Sequence, residues 1–188
     1  MFERLCVFCG SSTGRIEAYQ EAARATGAAL AQRGIELVYG GGRNGLMGIL
    51  ADAALEVGGR VTGVMPGFLI KKEIGHTGVT ELIVVASMHE RKSRMAGMAD
   101  GFIALPGGFG TFEEFFEVVT WAQLRLHAKP CGVLNVAGFY DPLLALLDHA
   151  CAEGLIHPEH RDLVVASSDL DELLEKMSRV RSPGVDKV

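Results

Sequence analysis

Phe102-Ile103-Ala104-Leu105-Pro106-Gly107-Gly108-Phe109-Gly110-Thr111-Phe112-Glu113-Glu114 decides the fold. A short, continuously apolar run is broken by Pro and Gly and then passes into an amphipathic stretch. The run is too short for a buried helix and suits a strand. Strands read as apolar throughout when helices cover both faces of a parallel sheet. The pattern repeats along the chain: apolar runs at 5–9, 35–39, 61–65, 82–86, 102–105, 132–136 and 163–166. Helical periodicity fills the gaps, over about 17–32, 46–57, 88–99, 112–126, 142–152 and 170–177. Such alternation implies crossover connections and an α/β fold. The expectation is one Rossmann-like domain over residues 1–181, a doubly wound parallel sheet of about seven strands with helices on both faces. Residues 66–80 are expected to form one long loop, and 182–188 a disordered tail.

The chain has 188 residues, 48% of them hydrophobic, enough to bury a core. Lys plus Arg number 18 and Asp plus Glu 23, a net charge of −5 that argues against a nucleic-acid groove. The longest stretch without a charge, 101–112, is too short and too rich in Gly to span a membrane. Met1-Phe2-Glu3-Arg4 does not begin a signal peptide, so a cytoplasmic protein is expected. Cys6 and Cys9 form a CxxC, but within a strand. Residues three apart on a strand point to opposite faces, so the two thiols diverge and read as buried and structural rather than redox-active.

In a doubly wound sheet, ligands bind beyond the carboxyl ends of the strands. Three strand ends carry small residues there: Gly10-Ser11-Ser12, Gly40-Gly41-Gly42, and Pro106-Gly107-Gly108. Glycine admits an anion to backbone N–H groups, and the following helix adds its positive end. Tight packing turns explain any one such loop, whereas three on one edge favour a phosphate-bearing ligand. Gly10, Ser11, Ser12, Gly41, Gly42 and Gly107 are the phosphate-loop candidates. Gly40, Gly42 and Gly45 satisfy GxGxxG, yet the strand at 61–65 ends in Pro66-Gly67 with no acid to hold a ribose, which speaks against NAD. A Gly-Lys-Ser/Thr loop is absent, which speaks against kinase or ATPase chemistry.

Ser87-Met88-His89-Glu90 has capping-box spacing and starts a helix. Arg91 and Lys92 follow Met88 by three and four residues, on the inward face. Two cations near the positive end of a helix are unfavourable, and an anionic ligand or carboxylate partners resolve the conflict. Thr111-Phe112-Glu113-Glu114 has the same spacing, with Glu114 placed to cap the Thr111 amide. Glu114 also sits where a carboxylate can stabilise developing positive charge or orient a water, with Glu117 flanking it, and spacing alone does not separate these readings. His157 and His160 surround Pro158 and are not placed as a metal pair; no other cluster has metal-ligand spacing. Ser11 and Ser12 lack a nucleophile-elbow motif.

Taken in order, Cys6-Val7-Phe8-Cys9-Gly10-Ser11-Ser12, Tyr39-Gly40-Gly41-Gly42, Gly45-Leu46-Met47-Gly48, Met88-His89-Glu90-Arg91-Lys92, the Pro106–Glu114 stretch and Val119-Thr120-Trp121-Ala122-Gln123-Leu124 resemble the LONELY GUY family. The resemblance covers about residues 5–156. It implies a phosphoribohydrolase that cleaves the N-glycosidic bond of a cytokinin riboside 5′-monophosphate, or of AMP as in several bacterial members, without a cofactor and as a homodimer. It implies Arg91 and Glu114 as the catalytic pair. It implies substrate contacts at Glu73, Arg91, Lys92, Gly108, Phe109, Gly110, Thr111, Phe112, Glu113, Glu114 and Thr120. Phe109 stands where many members carry Tyr. Members are also described as lysine decarboxylases, but pyridoxal phosphate needs a Schiff-base Lys and an acid for its ring nitrogen. Of six Lys residues only Lys92 lies in a glycine-rimmed crevice, beside an Arg. The other reading to weigh is a nucleotide sensor or carrier on the same fold without turnover.

Overall fold

The computed structural model of the chain describes residues 2–73 and 75–180, the side chains of 71–73 excepted. The segment 182–188 lies outside the described residues. Seven strands form one sheet: β1 (Arg4–Phe8), β2 (Glu36–Tyr39), β3 (Val61–Pro66), β4 (Glu81–Val85), β5 (Gly101–Ala104), β6 (Cys131–Leu134) and β7 (Val164–Ser167). Their order is β4-β3-β2-β1-β5-β6-β7, and every pairing is parallel. The chain builds outward from β1 to β4, then returns to the other side of β1 with β5. The order therefore reverses between β1 and β5, where Leu5 pairs with Gly101 and Phe8 with Ala104. Crevices open at such a reversal, because the flanking helices leave in opposite directions.

The helices are α1 (Glu17–Gln32), α2 (Gly45–Glu56), α3 (Gly67–Glu73), α4 (Met88–Met98), α5 (Phe109–Gln123), α6 (Asp141–Ala152), α7 (Pro158–Arg161) and α8 (Leu170–Arg179). Strand residues alternate between two apolar layers, as the two-residue period of a strand requires. Leu5, Val7, Leu37, Tyr39 and Ile103 pack with Ala23 and Leu30 of α1, Leu46 and Leu50 of α2, and Leu173 of α8. Cys6, Phe8, Val38, Phe102 and Ala104 pack with Met95 of α4, Phe115 and Val118 of α5, and Leu147 of α6. Cys6 and Cys9 fall in opposite layers, and all four cysteines are free.

The segment 66–80 is not a structureless loop. Pro66 closes β3, α3 follows it, and Gly75 makes an antiparallel bridge to Gly42. The His76 N–H donates to the Gly41 carbonyl at 2.9 Å, and its buried ring pairs through Nε2 with Asp52 Oδ1 of α2 at 2.8 Å. Helix α5 starts at Phe109, three residues before the expected 112, with Gly108 as its N-cap. The Phe112 N–H already donates to the Gly108 carbonyl, so Thr111 lies inside the helix and Glu114 does not cap it. Among the described residues no helix is long and apolar enough to cross a membrane, and no three His, Cys, Asp or Glu are grouped to hold a metal.

Candidate active site

The loop after β1 and the loop after β5 cross at the reversal point. The Gly10 N–H donates to the Pro106 carbonyl at 3.1 Å, and the Leu46 N–H of α2 donates to the Gly10 carbonyl at 3.0 Å. The crossing leaves no room for side chains. A Cβ on Gly107 would stand 2.1 Å from Thr111 Oγ1, and one on Gly10 3.2 Å from the Ser12 carbonyl oxygen. Gly108 and Gly110 differ: a Cβ on either would meet nothing within 4 Å. Their backbone faces open space at the N-terminus of α5, where N–H groups lack helical partners and the helix dipole favours an anion.

Two lobes flank this crossing. A polar lobe of about 180 Å³ is lined by Cys9, Ser11, Met47, Arg91, Thr111 and Glu114, with Phe109 at its rim. An apolar lobe of about 290 Å³ is lined by Ser12, Tyr19, Leu46, Pro106 and Phe139. Gly10, Ser11 and Gly108 line both. Tyr19 and Phe139 meet edge to face, with centroids 5.6 Å apart.

Arg91 reaches the polar lobe from the first turns of α4. Ser87 caps that helix as its sequence predicts, its Oγ accepting from the Glu90 N–H at 3.1 Å, while Glu90 Oε2 reaches one residue beyond the N-cap and accepts from the Ala86 N–H at 2.8 Å. The Arg91 guanidinium is then held on three sides. Nε donates to the Val64 carbonyl at 2.9 Å, Nη2 to the Gly40 carbonyl at 3.2 Å, and Nη1 to Glu114 Oε1 at 2.8 Å. Arg91 is 6% exposed and Glu114 9%, so the pair is largely shielded from water. The nearby Cys9 thiol is pushed well above its ordinary pKa by burial and by the Glu114 charge, and stays neutral. The arrangement presents one fixed carboxylate to the lobe, which can stabilise a cationic carbon or align a water.

Lys92 points elsewhere. Its ammonium donates to Glu113 at 2.5 Å and to Glu117 at 2.9 Å. Partial burial opposes the charge, but the two carboxylates outweigh it and raise the pKa. Carboxylates from α5 thus settle both cations at the start of α4.

Of the residues proposed from sequence, the structure brings together Gly10, Ser11, Arg91, Gly108, Phe109, Gly110, Thr111 and Glu114 in the polar lobe, with Ser12 and Gly107 beside it. Gly41 and Gly42 line neither lobe. A Cβ on Gly41 would stand 3.1 Å from Leu82 and 3.3 Å from Met65, and Gly42 is engaged by Gly75. Phe112 turns to the aromatic group of Phe139 and Tyr140. Thr120 is exposed and its Oγ1 donates to the Phe116 carbonyl; it lies about 14 Å along α5 from Thr111. The Glu73 side chain lies outside the described residues. Sequence reasoning missed Tyr19, Met47 and Phe139, whose spacing carries no ligand signal. It also missed the part played by Gly40.

A family model described as possible lysine decarboxylase matches residues 47–177, well over half of the chain. The probable cytokinin riboside 5′-monophosphate phosphoribohydrolase LOGL1 of Oryza sativa subsp. japonica is 51% identical over 178 residues, covering 95% of this chain and 80% of that protein. The chain belongs to the LONELY GUY family. Cytokinin riboside 5′-monophosphate phosphoribohydrolase LOG7 of Arabidopsis thaliana is 48% identical, covering all of this chain and 86% of the relative. The molybdenum cofactor carrier protein of Chlamydomonas reinhardtii shares the fold, with a TM-score of 0.69 over 96% of this chain and 100% of that chain at 20% identity. Of the motifs that carry the resemblance, Cys9-Gly10-Ser11, Arg91 and the Pro106–Glu114 stretch meet at the β1–β5 reversal, whereas Gly41, Gly42, Lys92 and Thr120 lie outside the two lobes.

Proposed function

We propose that this LONELY GUY family member hydrolyses the N-glycosidic bond of a purine nucleoside 5′-monophosphate, a cytokinin ribotide or AMP, to the free base and ribose 5-phosphate. The observation that carries the reading is the buried Arg91–Glu114 pair, fixed beside the open backbone of Gly108 and Gly110. The phosphate takes the N-terminus of α5, with the Ser11 and Thr111 hydroxyls in reach of the same lobe. The sugar then lies over Glu114. As the bond from C1′ to the base nitrogen lengthens, its electron pair leaves with the base and positive charge grows on the sugar. Glu114 stabilises that charge and orients a water whose oxygen bonds to C1′. One water proton ends on the departing base nitrogen, and the other stays on the new C1′ hydroxyl. Arg91 holds the carboxylate in place and aims it. No step needs a metal or a redox group, and among the described residues no lysine lines the polar lobe to form a Schiff base.

The names of half-identical relatives support the reaction class. We assign the protein to the cytoplasm, where four free thiols stay reduced. We assign it a homodimeric state. Phe115 of α5 is consumed by the core and Phe116, Val119 and Trp121 pack against it, but Leu124 and Leu126 just beyond are 61% and 64% exposed. The reading is tested by comparing AMP with adenosine. Several charge-assisted hydrogen bonds of about 1.5–3 kcal/mol each anchor the phosphate, so kcat/KM falls by more than about a hundredfold without it. Equal cleavage of the two refutes the reading.

A further inference from the structure

Gly40 reads from sequence as part of a dinucleotide fingerprint, yet it lines neither lobe. What stands against its empty side is the Arg91 guanidinium. A Cβ at Gly40 would lie 2.1 Å from Nη2, with Cζ and Met47 Sδ both at 3.3 Å. The first distance is far inside van der Waals contact. The Nη2 nitrogen cannot simply swing aside, because Nε is bound to the Val64 carbonyl, Nη1 to Glu114, and Nη2 to the carbonyl of Gly40 itself. The backbone dihedrals give no competing reason for glycine. Gly41 and Gly45 have φ of +78° and +64°, whereas Gly40 is not among the positive-φ residues.

We propose that Gly40 is a positioning residue: its missing side chain forms the seat, between the ends of β2 and β3, that fixes Arg91 and through it aims Glu114 into the polar lobe. Gly40 touches no substrate. Adding one methyl displaces the guanidinium, and displacement by about 1 Å at such a pair costs on the order of a hundredfold in turnover. The proposal rests on the catalytic reading of Arg91 and Glu114 given above.

The test places Gly40→Ala in three backgrounds: wild type, Arg91→Ala and Arg91→Lys. The lysine background guards against poor folding of Arg91→Ala. Its chain ends near the Cζ position, 3.3 Å from the added methyl, and has no Nη2 branch. With Arg91 present, Gly40→Ala lowers kcat for AMP about a hundredfold and the melting temperature by roughly 5 °C, with KM within a few-fold. In either substituted background the same methyl changes residual turnover and melting temperature far less, since the 2.1 Å contact with Nη2 is gone and only 3.3 Å contacts remain, with the flexible Met47 Sδ and, in the lysine background, the chain end. Wild-type kcat in Gly40→Ala, or an equal loss of melting temperature in all three backgrounds, overturns the proposal. Wild-type turnover in Arg91→Ala overturns the catalytic reading instead, and the melting comparison then decides the seat alone.

Discussion

Replacing Glu114 by Gln separates a catalytic carboxylate from a counter-ion. The carboxylate oxygen lies 2.8 Å from Arg91 Nη1. At an effective dielectric of about 20, unit charges at that distance attract by about 6 kcal/mol, most of which is offset by removing both from water. Gln keeps an oxygen that accepts from Nη1, so the stability lost is that of weakening a charged hydrogen bond, about 1–3 kcal/mol. For a chain of this size that lowers the melting temperature by roughly 2–12 °C. The catalytic loss is larger in kind. A preorganised charge beside the sugar is worth about 10²–10³ in turnover, or about 2.7–4 kcal/mol. The assay is kcat with AMP at a temperature where both proteins are fully folded by circular dichroism, alongside nucleotide binding by calorimetry. Turnover falls by at least two orders of magnitude, while binding, carried by the α5 N-terminus, stays within a few-fold. A folded Glu114→Gln protein with wild-type kcat refutes the reasoning and leaves Glu114 as the partner of a buried arginine.

Gly108→Val should fold normally, because its Cβ meets nothing within 4 Å and its φ of −108° suits any residue; KM for AMP rises by an order of magnitude or more with kcat less affected, and an unchanged KM would remove the phosphate from this loop. His127 donates through Nε2 to the Val118 carbonyl and accepts the Lys129 N–H on Nδ1, and burial, with the Lys129 charge adding, lowers its pKa. The unfolded chain therefore binds a proton first, so stability falls as pH drops below about 6.5 and levels once the folded histidine also protonates. His127→Gln flattens that part of the melting-temperature profile, and an unaltered profile would assign the slope elsewhere. Light scattering at micromolar concentration should give the mass of a dimer, and a monomer would leave Leu124 and Leu126 without the proposed cover.

All seven strands fall within two residues of their sequence-read positions, because each is an apolar run. The inner strands are buried nearly throughout, while the edge strands β4 and β7 are only partly buried. Four of the runs pass straight into Gly10, Gly40, Pro66 or Pro106. Helix α3 was hidden for the same reason: Pro66-Gly67 at its start reads as punctuation, and only its place against β3 makes seven residues a helix. The early start of α5 was hidden by Gly108 and Gly110, which weigh against helix in any local count. Arg91 and the Pro106–Thr111 loop were legible as candidates from residue type and spacing, whereas the spacing of Glu114 fits a helix cap as well as a site and only the family resemblance chose between them. The glycines were legible as a group but not one by one. Gly107 and Gly10 serve the crossing of two loops, Gly40 serves an arginine 51 residues away, and Gly108 and Gly110 face open space. Those differences depend on what the fold brings opposite each Cα, which no local pattern encodes.

The most direct measurement is chromatography of the products after incubating the purified protein with AMP and with N6-isopentenyladenosine 5′-monophosphate. The predicted result is free base and ribose 5-phosphate in equal amounts, with no nucleoside and no inorganic phosphate. Recovery of both nucleotides intact, or release of nucleoside and phosphate, would contradict cleavage at the glycosidic bond.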